Sequence, residues 1–75
     1  MPIVTSVRSD IATPANAVAW QIDQSGDGHS WTPANAGAAG APLRASFDPL
    51  SSLYRIVWVI EGGSTVTGNP QRIAS

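Results

Sequence analysis

Between positions 23 and 31 the chain concentrates most of the chemistry it has. Asp23, Ser25 and Asp27 place side-chain oxygens at alternate positions, Gly28 follows, and then come His29 and Trp31. Oxygen donors in alternation, closed by a bend-forming glycine, suit a hard cation such as calcium. An imidazole can serve as acid or base, and an indole after a polar loop can serve as a stacking platform or interface anchor. Beyond this stretch the inventory is thin. His29 is the single histidine, Glu61 is the one glutamate among five acids, and the chain has no cysteine and no lysine. Most catalytic devices hold a nucleophile, a base and an orienting group within hydrogen-bond reach. The serines beside His29 form no Gly-x-Ser-x-Gly elbow, and a metal site needs more ligands than one His. His29 therefore reads as a solvated loop residue, and the inventory points away from an enzyme.

Asp23-Gln24-Ser25-Gly26-Asp27-Gly28 resembles the opening half of an EF-hand calcium loop, with Asp23, Ser25 and Asp27 on ligand positions and Gly28 on the bend. The likeness then stops. Ser30 stands where an apolar residue belongs, Ala34 where the bidentate Glu belongs, and the flanks read as strands. It implies no EF-hand; a calcium ion on Asp23, Ser25 and Asp27 would need further ligands from elsewhere in the fold. The other reading is a polar hairpin loop whose Asp and Ser accept bonds from nearby amides. Ser25 to Trp31 also resembles the Asp-box, the Ser-x-Asp-x-Gly-x-Thr-Trp hairpin of sialidase-type propellers, one residue short. That resemblance implies a structural β-hairpin followed by a Trp, and no catalysis.

Three tryptophans in 75 residues is a high count for a short chain. Trp20 and Trp58 lie on apolar strand faces and read as core, given the area each buries. Trp31 is the candidate for a surface role. As a platform for a sugar ring it would take Asp27, His29 and Asn35 as polar partners, which makes a lectin-like glycan-binding module one reading of the chain.

The elements that must position these residues show a period of two. Ile3, Thr5 and Val7 share a face, as do Val18, Trp20 and Ile22, and as do Leu43, Ala45 and Phe47. From Leu53 to Ile60 both faces are apolar: Tyr54, Ile56, Trp58 and Ile60 on one, Leu53, Val57 and Val59 on the other, with Arg55 among the second set. Such a strand must be covered on both sides, because exposed it would be an aggregation hazard. Arg55 is expected to reach the rim or pair with an acid. Glu61-Gly62-Gly63-Ser64 reads as a hairpin leading to Thr65-Val66-Thr67, and Gly68-Asn69-Pro70 as a turn before a short last strand from Gln71 to Ala74. Asp48-Pro49 suggests a capped helical turn. The small-residue stretch 34–42 reads as a loop. Thr-Pro-Ala-Asn-Ala occurs at 13–17 and again at 32–36, and both copies suit a type I turn. The fold expected is one all-β domain over 1–75, a small antiparallel sandwich or partly open barrel of five to six short strands with one helical turn.

Size and charge bear on partners. A chain this short buries only about 60% of the surface its unfolded state exposes. Without cysteine no disulfide can supplement its core. Charged residues make up 12%, with a formal net charge of −1, against about 25% in an ordinary soluble domain. That fits either a plain Ala, Gly, Ser and Thr surface or one covered by protein partners or copies of itself. Nucleic acid is disfavoured for want of a basic patch. No membrane span is expected, since the longest apolar run, Ile56 to Ile60, is far too short for a spanning helix. Met1-Pro2-Ile3-Val4 opens no secretory signal. The composition suits a structural or interaction module, a small accessory component of a larger assembly. A capsid-decorating or minor virion protein of a bacteriophage is the concrete version, with Trp31, Arg55, Val57 and Val59 as its interface residues.

Overall fold

Alternating apolar residues interrupted by glycine-rich turns favour strands folded back on their neighbours, and the chain takes that course. The structure, a computed structural model, describes residues 3–73. Seven strands follow one another: β1 (Ile3–Ser6), β2 (Ala17–Ser25), β3 (Thr32–Ala38), β4 (Arg44–Phe47), β5 (Leu53–Ile60), β6 (Thr65–Thr67) and β7 (Gln71–Arg72). All pairings are antiparallel. They make two sheets that do not close into a barrel. In one, β1 pairs β4; in the other the order is β3-β2-β5-β6, with β7 following β6 along the same side of β5. The expected last strand is seen as β7, and Ala74 lies outside the described residues. So do the side chains of Ile3 and Thr5, whose expected sharing of a face with Val7 falls there.

Two layers enclose one core. The inner face of the larger sheet contributes Trp20 and Ile22 from β2 and Tyr54, Ile56 and Trp58 from β5; the smaller layer adds Ala45 and Phe47 from β4 and Val7 just past β1. Trp20 faces Trp58 across the β2–β5 ladder, and the Phe47 and Tyr54 rings meet at 5.8 Å. The polar tips of the core aromatics find partners: Trp20 Nε1 donates to the Ala41 carbonyl, Trp58 Nε1 to Ser9 Oγ, and Tyr54 Oη to the Arg8 carbonyl. The β5–β6 hairpin turns as expected, with Gly62 and Gly63 both at φ 90° and Ile60 N donating to the Ser64 carbonyl.

Four sequence expectations need correction. Most of the stretch 34–42 is not a loop but strand β3, which pairs with β2. At its centre a glycine is needed because Trp20 lies against it; a Cβ on Gly37 would sit 2.6 Å from Trp20 Cζ2. The two Thr-Pro-Ala-Asn-Ala copies differ in structure. The first makes a turn, closed by Ala17 N donating to the Pro14 carbonyl, whereas the second belongs to β3 because β2 offers it a ladder of partners. Val18 leaves the apolar set: the register shifts between Ala17 and Ala19, Ala17 packs on the core, and Val18 is 49% exposed. No helical turn forms at Asp48. A single turn, with Ser51 N on the Asp48 carbonyl, joins β4 to β5, and buried Gln24 Oε1 holds it by accepting from Asp48 N and Ser51 Oγ. Among the described residues no helix is long and apolar enough to cross a membrane.

The contact between Gly37 and Trp20 can be tested. Gly37→Ala should cost about 1–3 kcal/mol through overpacking against a ring that has no room to retreat. Gly40→Ala, where an added Cβ meets nothing within 4 Å, should change stability by less than about 0.5 kcal/mol. Urea unfolding of the two variants makes the comparison, and equal effects would contradict the packing described.

Candidate functional site

Strand alternation sends the other half of β2 and β5 to the outer face of the larger sheet. Ala19, Gln21 and Asp23 lie there opposite Val59, Val57 and Arg55. Ala36 of β3 pairs with Gln21 on one side, and Thr67 of β6 pairs with Val57 on the other. Val57, Val59 and Arg55 are all half-buried; each is flanked by neighbours, and among the described residues no strand layer lies over the two valines.

One polar group crosses this face. Arg55 Nε donates to Asp23 Oδ2 at 3.1 Å, and Gln21 Nε2 donates to Asp23 Oδ1 at 2.6 Å. The Arg55 guanidinium carbon stands 4.4 Å from the centre of the Trp31 ring, a cation–π stack. The acid expected for Arg55 is thus Asp23, its direct cross-strand neighbour. The pair is asymmetric in solvent: the Asp23 side chain is 6% exposed and that of Arg55 30%. A carboxylate so buried needs the two donors it has. Gln21 escaped the sequence reading; its signal is position, two residues before Asp23 on the same face of a strand.

The β2–β3 loop is built differently. Ser25 Oγ accepts from the amides of Asp27 and Gly28 and donates to Asp27 Oδ1. Asp27 Oδ1 in turn accepts from His29 N at 2.8 Å and Ser30 N at 2.9 Å. These bonds hold the Asp27 carboxyl down at about 2 from its usual 3.8; the largest cause is the Ser30 amide, then that of His29, then the Ser25 hydroxyl. Gly28 bends the loop at φ 81°, and its neighbour is the β4–β5 turn, with Ser52 N on the Ser25 carbonyl. The loop joins β2 to β3 as a hairpin, with Trp31 its last residue before β3.

The residues singled out in the sequence divide into groups. Trp31, Arg55, Val57 and Val59 come together on the outer face. Of Asp23, Ser25 and Asp27, the latter two touch each other, while both Asp23 oxygens are taken by Arg55 and Gln21. Among the described residues no three of His, Cys, Asp and Glu gather as a metal-ligand group. Of the residues that would serve a glycan, Asp27 and His29 lie in the loop. Asn35 pairs with Ile22 on the inner side and donates to the Arg44 carbonyl, so it does not share a face with Trp31, whose ring already carries Arg55. No protein-family model, curated protein or solved structure matches the chain.

The Asp27 bonds predict an acid transition confined to the loop. A carboxyl whose folded pKa lies below its unfolded one stabilises fully above about 3.8, and that contribution is lost as pH falls through about 2. The His29 and Ser30 amide resonances should therefore shift with a midpoint near 2, and Asp27→Asn should abolish the shift. A midpoint at 3.8 would mean that the bonds do not form in solution.

Proposed function

We propose that this chain is a non-enzymatic structural module, a small accessory component of a larger assembly, and that the outer face of its larger sheet is the docking surface. Decoration of a bacteriophage capsid is the concrete form of this reading. One observation carries it: Val57 and Val59, β-branched and apolar, lie half-exposed on a sheet face that no element among the described residues covers. Two further features agree. The same face is edged by Ala19, Ala36 and Thr67, and the charge beside the valines, Arg55, is paired with Asp23; the exposed Arg72, opposite Leu53, lies farther along at the β7 end. The single histidine sits exposed in a loop whose one nearby carboxylate is occupied with backbone amides.

The reading predicts separate effects on assembly and on folding. Val57→Ser and Val59→Ser together should weaken association at least about tenfold, because each removes an apolar contact from a water-excluded seam. Each should cost the isolated monomer less than the roughly 1.5–3 kcal/mol of a fully buried Val, since neither position is fully out of water. Light scattering behind a sizing column, with and without the candidate assembly, reads the first effect; urea unfolding reads the second. A variant that unfolds readily yet assembles normally would count against the proposal.

A further inference from the structure

The free edge of β3 carries an inference that stands on backbone groups and does not depend on what covers Val57 and Val59. Ala39 N donates to the Val18 carbonyl at 3.2 Å, and the register continues through Trp20 with Gly37 and Ile22 with Asn35. In an antiparallel ladder such pairs alternate with pairs whose amides and carbonyls point away. Gly37 and Asn35 therefore bond to β2, and Ala36 and Ala38 direct their backbone groups outward. The Ala38 carbonyl takes Ala41 N at 2.9 Å. The Ala36 amide and carbonyl and the Ala38 amide are left facing solvent on an exposed strand. The smaller sheet does not pair with them: β4 pairs β1 rather than β3, and it meets β3 at Asn35, whose Nδ2 donates to the Arg44 carbonyl, beside an open hollow of about 360 Å³ lined by Ala34, Asn35, Arg44, Ala45 and Ser46.

Proteins usually blunt such an edge with charge, with very short strands or with a covering loop. The opposite edge of this sheet follows that rule, with β6 three residues long and β7 two. β3 is seven residues long and has no charged residue between Thr32 and Ala38; its one proline, Pro33, lies near the end. We propose that two copies of this chain pair through β3, antiparallel, about a two-fold axis centred on Ala36. Such pairing exchanges two reciprocal bonds between the Ala36 backbones and sets Ala38 of each copy opposite Ala34 of the other. A two-fold contact lays one strand against itself, so a strand with charges would set like against like at its centre. This one sets alanine against alanine, which fits a second copy better than a charged foreign strand. The axis stands perpendicular to the sheet, so the outer faces of the two copies become one continuous surface.

Chemical synthesis with N-methylation of the Ala36 amide tests the proposal, because it deletes one outward donor and leaves the Asn35 and Gly37 bonds to β2 intact. Sedimentation equilibrium should show the parent as a dimer and the N-methylated chain at least about tenfold weaker in self-association, with unchanged circular dichroism. N-methylation of Thr67, on the opposite edge, should leave the dimer intact. Hydrogen exchange on the parent supplies a reading that needs no variant: the Ala36 amide should slow at least about tenfold between dilute and concentrated samples. A parent monomeric at high concentration, a dimer indifferent to Ala36 methylation or broken by Thr67 methylation, or an Ala36 amide whose exchange ignores concentration would each overturn it.

Discussion

Eight residues of β2 pair with eight of β5, and this ladder sets the terms for everything else in the molecule. Both strands are long for so short a chain, and both carry a tryptophan at the same level, Trp20 against Trp58. Burying a pair of indoles is worth roughly 4–6 kcal/mol each on a transfer scale, an upper bound because the unfolded chain is itself partly collapsed. In a domain of this size no other contact approaches that sum. The inner face must therefore be covered, and β1 and β4 cover it. Trp20 then dictates its neighbour on the other side: only a glycine at 37 lets β3 lie against the ring.

Alternation makes the outer face a consequence of the inner one. A strand that sends Trp20 and Ile22 inward must send Gln21 and Asp23 outward, and one that sends Ile56 and Trp58 inward must send Arg55 and Val57 outward. Because the ladder register is fixed by the core, Asp23 falls directly opposite Arg55 and the ion pair needs no adjustment of the backbone. The chain has enough residues for one covering layer and not for two. Among the described residues no second strand layer covers the outer face, and association is a common supplement for a domain that buries so little of itself.

Much of this was legible in the sequence because period-two patterning is a local signal. β2, β4 and β5 read directly from their alternation, the Gly62-Gly63 hairpin from its turn residues, and the core role of Trp20 and Trp58 from the strands that carry them. What escaped the reading depends on neighbours. Thr32–Ala38 has almost no side chains with strand preference, and it is a strand because β2 offers it hydrogen-bond partners and its Gly37 leaves room for Trp20. The twin Thr-Pro-Ala-Asn-Ala segments show the same point with composition held constant: one turns and one extends, so tertiary context overrides local preference. Val18 was misplaced because a bulge shifts the alternation by one residue, which no pattern of types reveals. At Asp48 the deciding group was Gln24, distant in sequence. For the outer face, the position of Arg55 was readable and the identity of its partner was not, since the register that sets Asp23 opposite it is a property of the core.

The chemistry of the outer face also bears on how costly it would be to cover. Burying a lone charge is expensive, and an interface over an unpaired Arg or Asp would lose most of its gain to desolvation. Here Asp23 is already out of water and already compensated by Arg55 and Gln21. Arg55 is the half-exposed member, and a guanidinium is a delocalised, weakly hydrated cation that loses less on dehydration than an ammonium would. Its stack on Trp31 replaces part of its solvent with an aromatic face before any partner arrives. A surface laid over Val57 and Val59 would thus remove apolar area from water without stripping the charge beside them, provided it stops short of Arg72, opposite Leu53. The same arrangement explains why so polar a group can sit beside alanine, valine and threonine: the group is neutral as a unit, fixed by the ladder, and held in place from both sides.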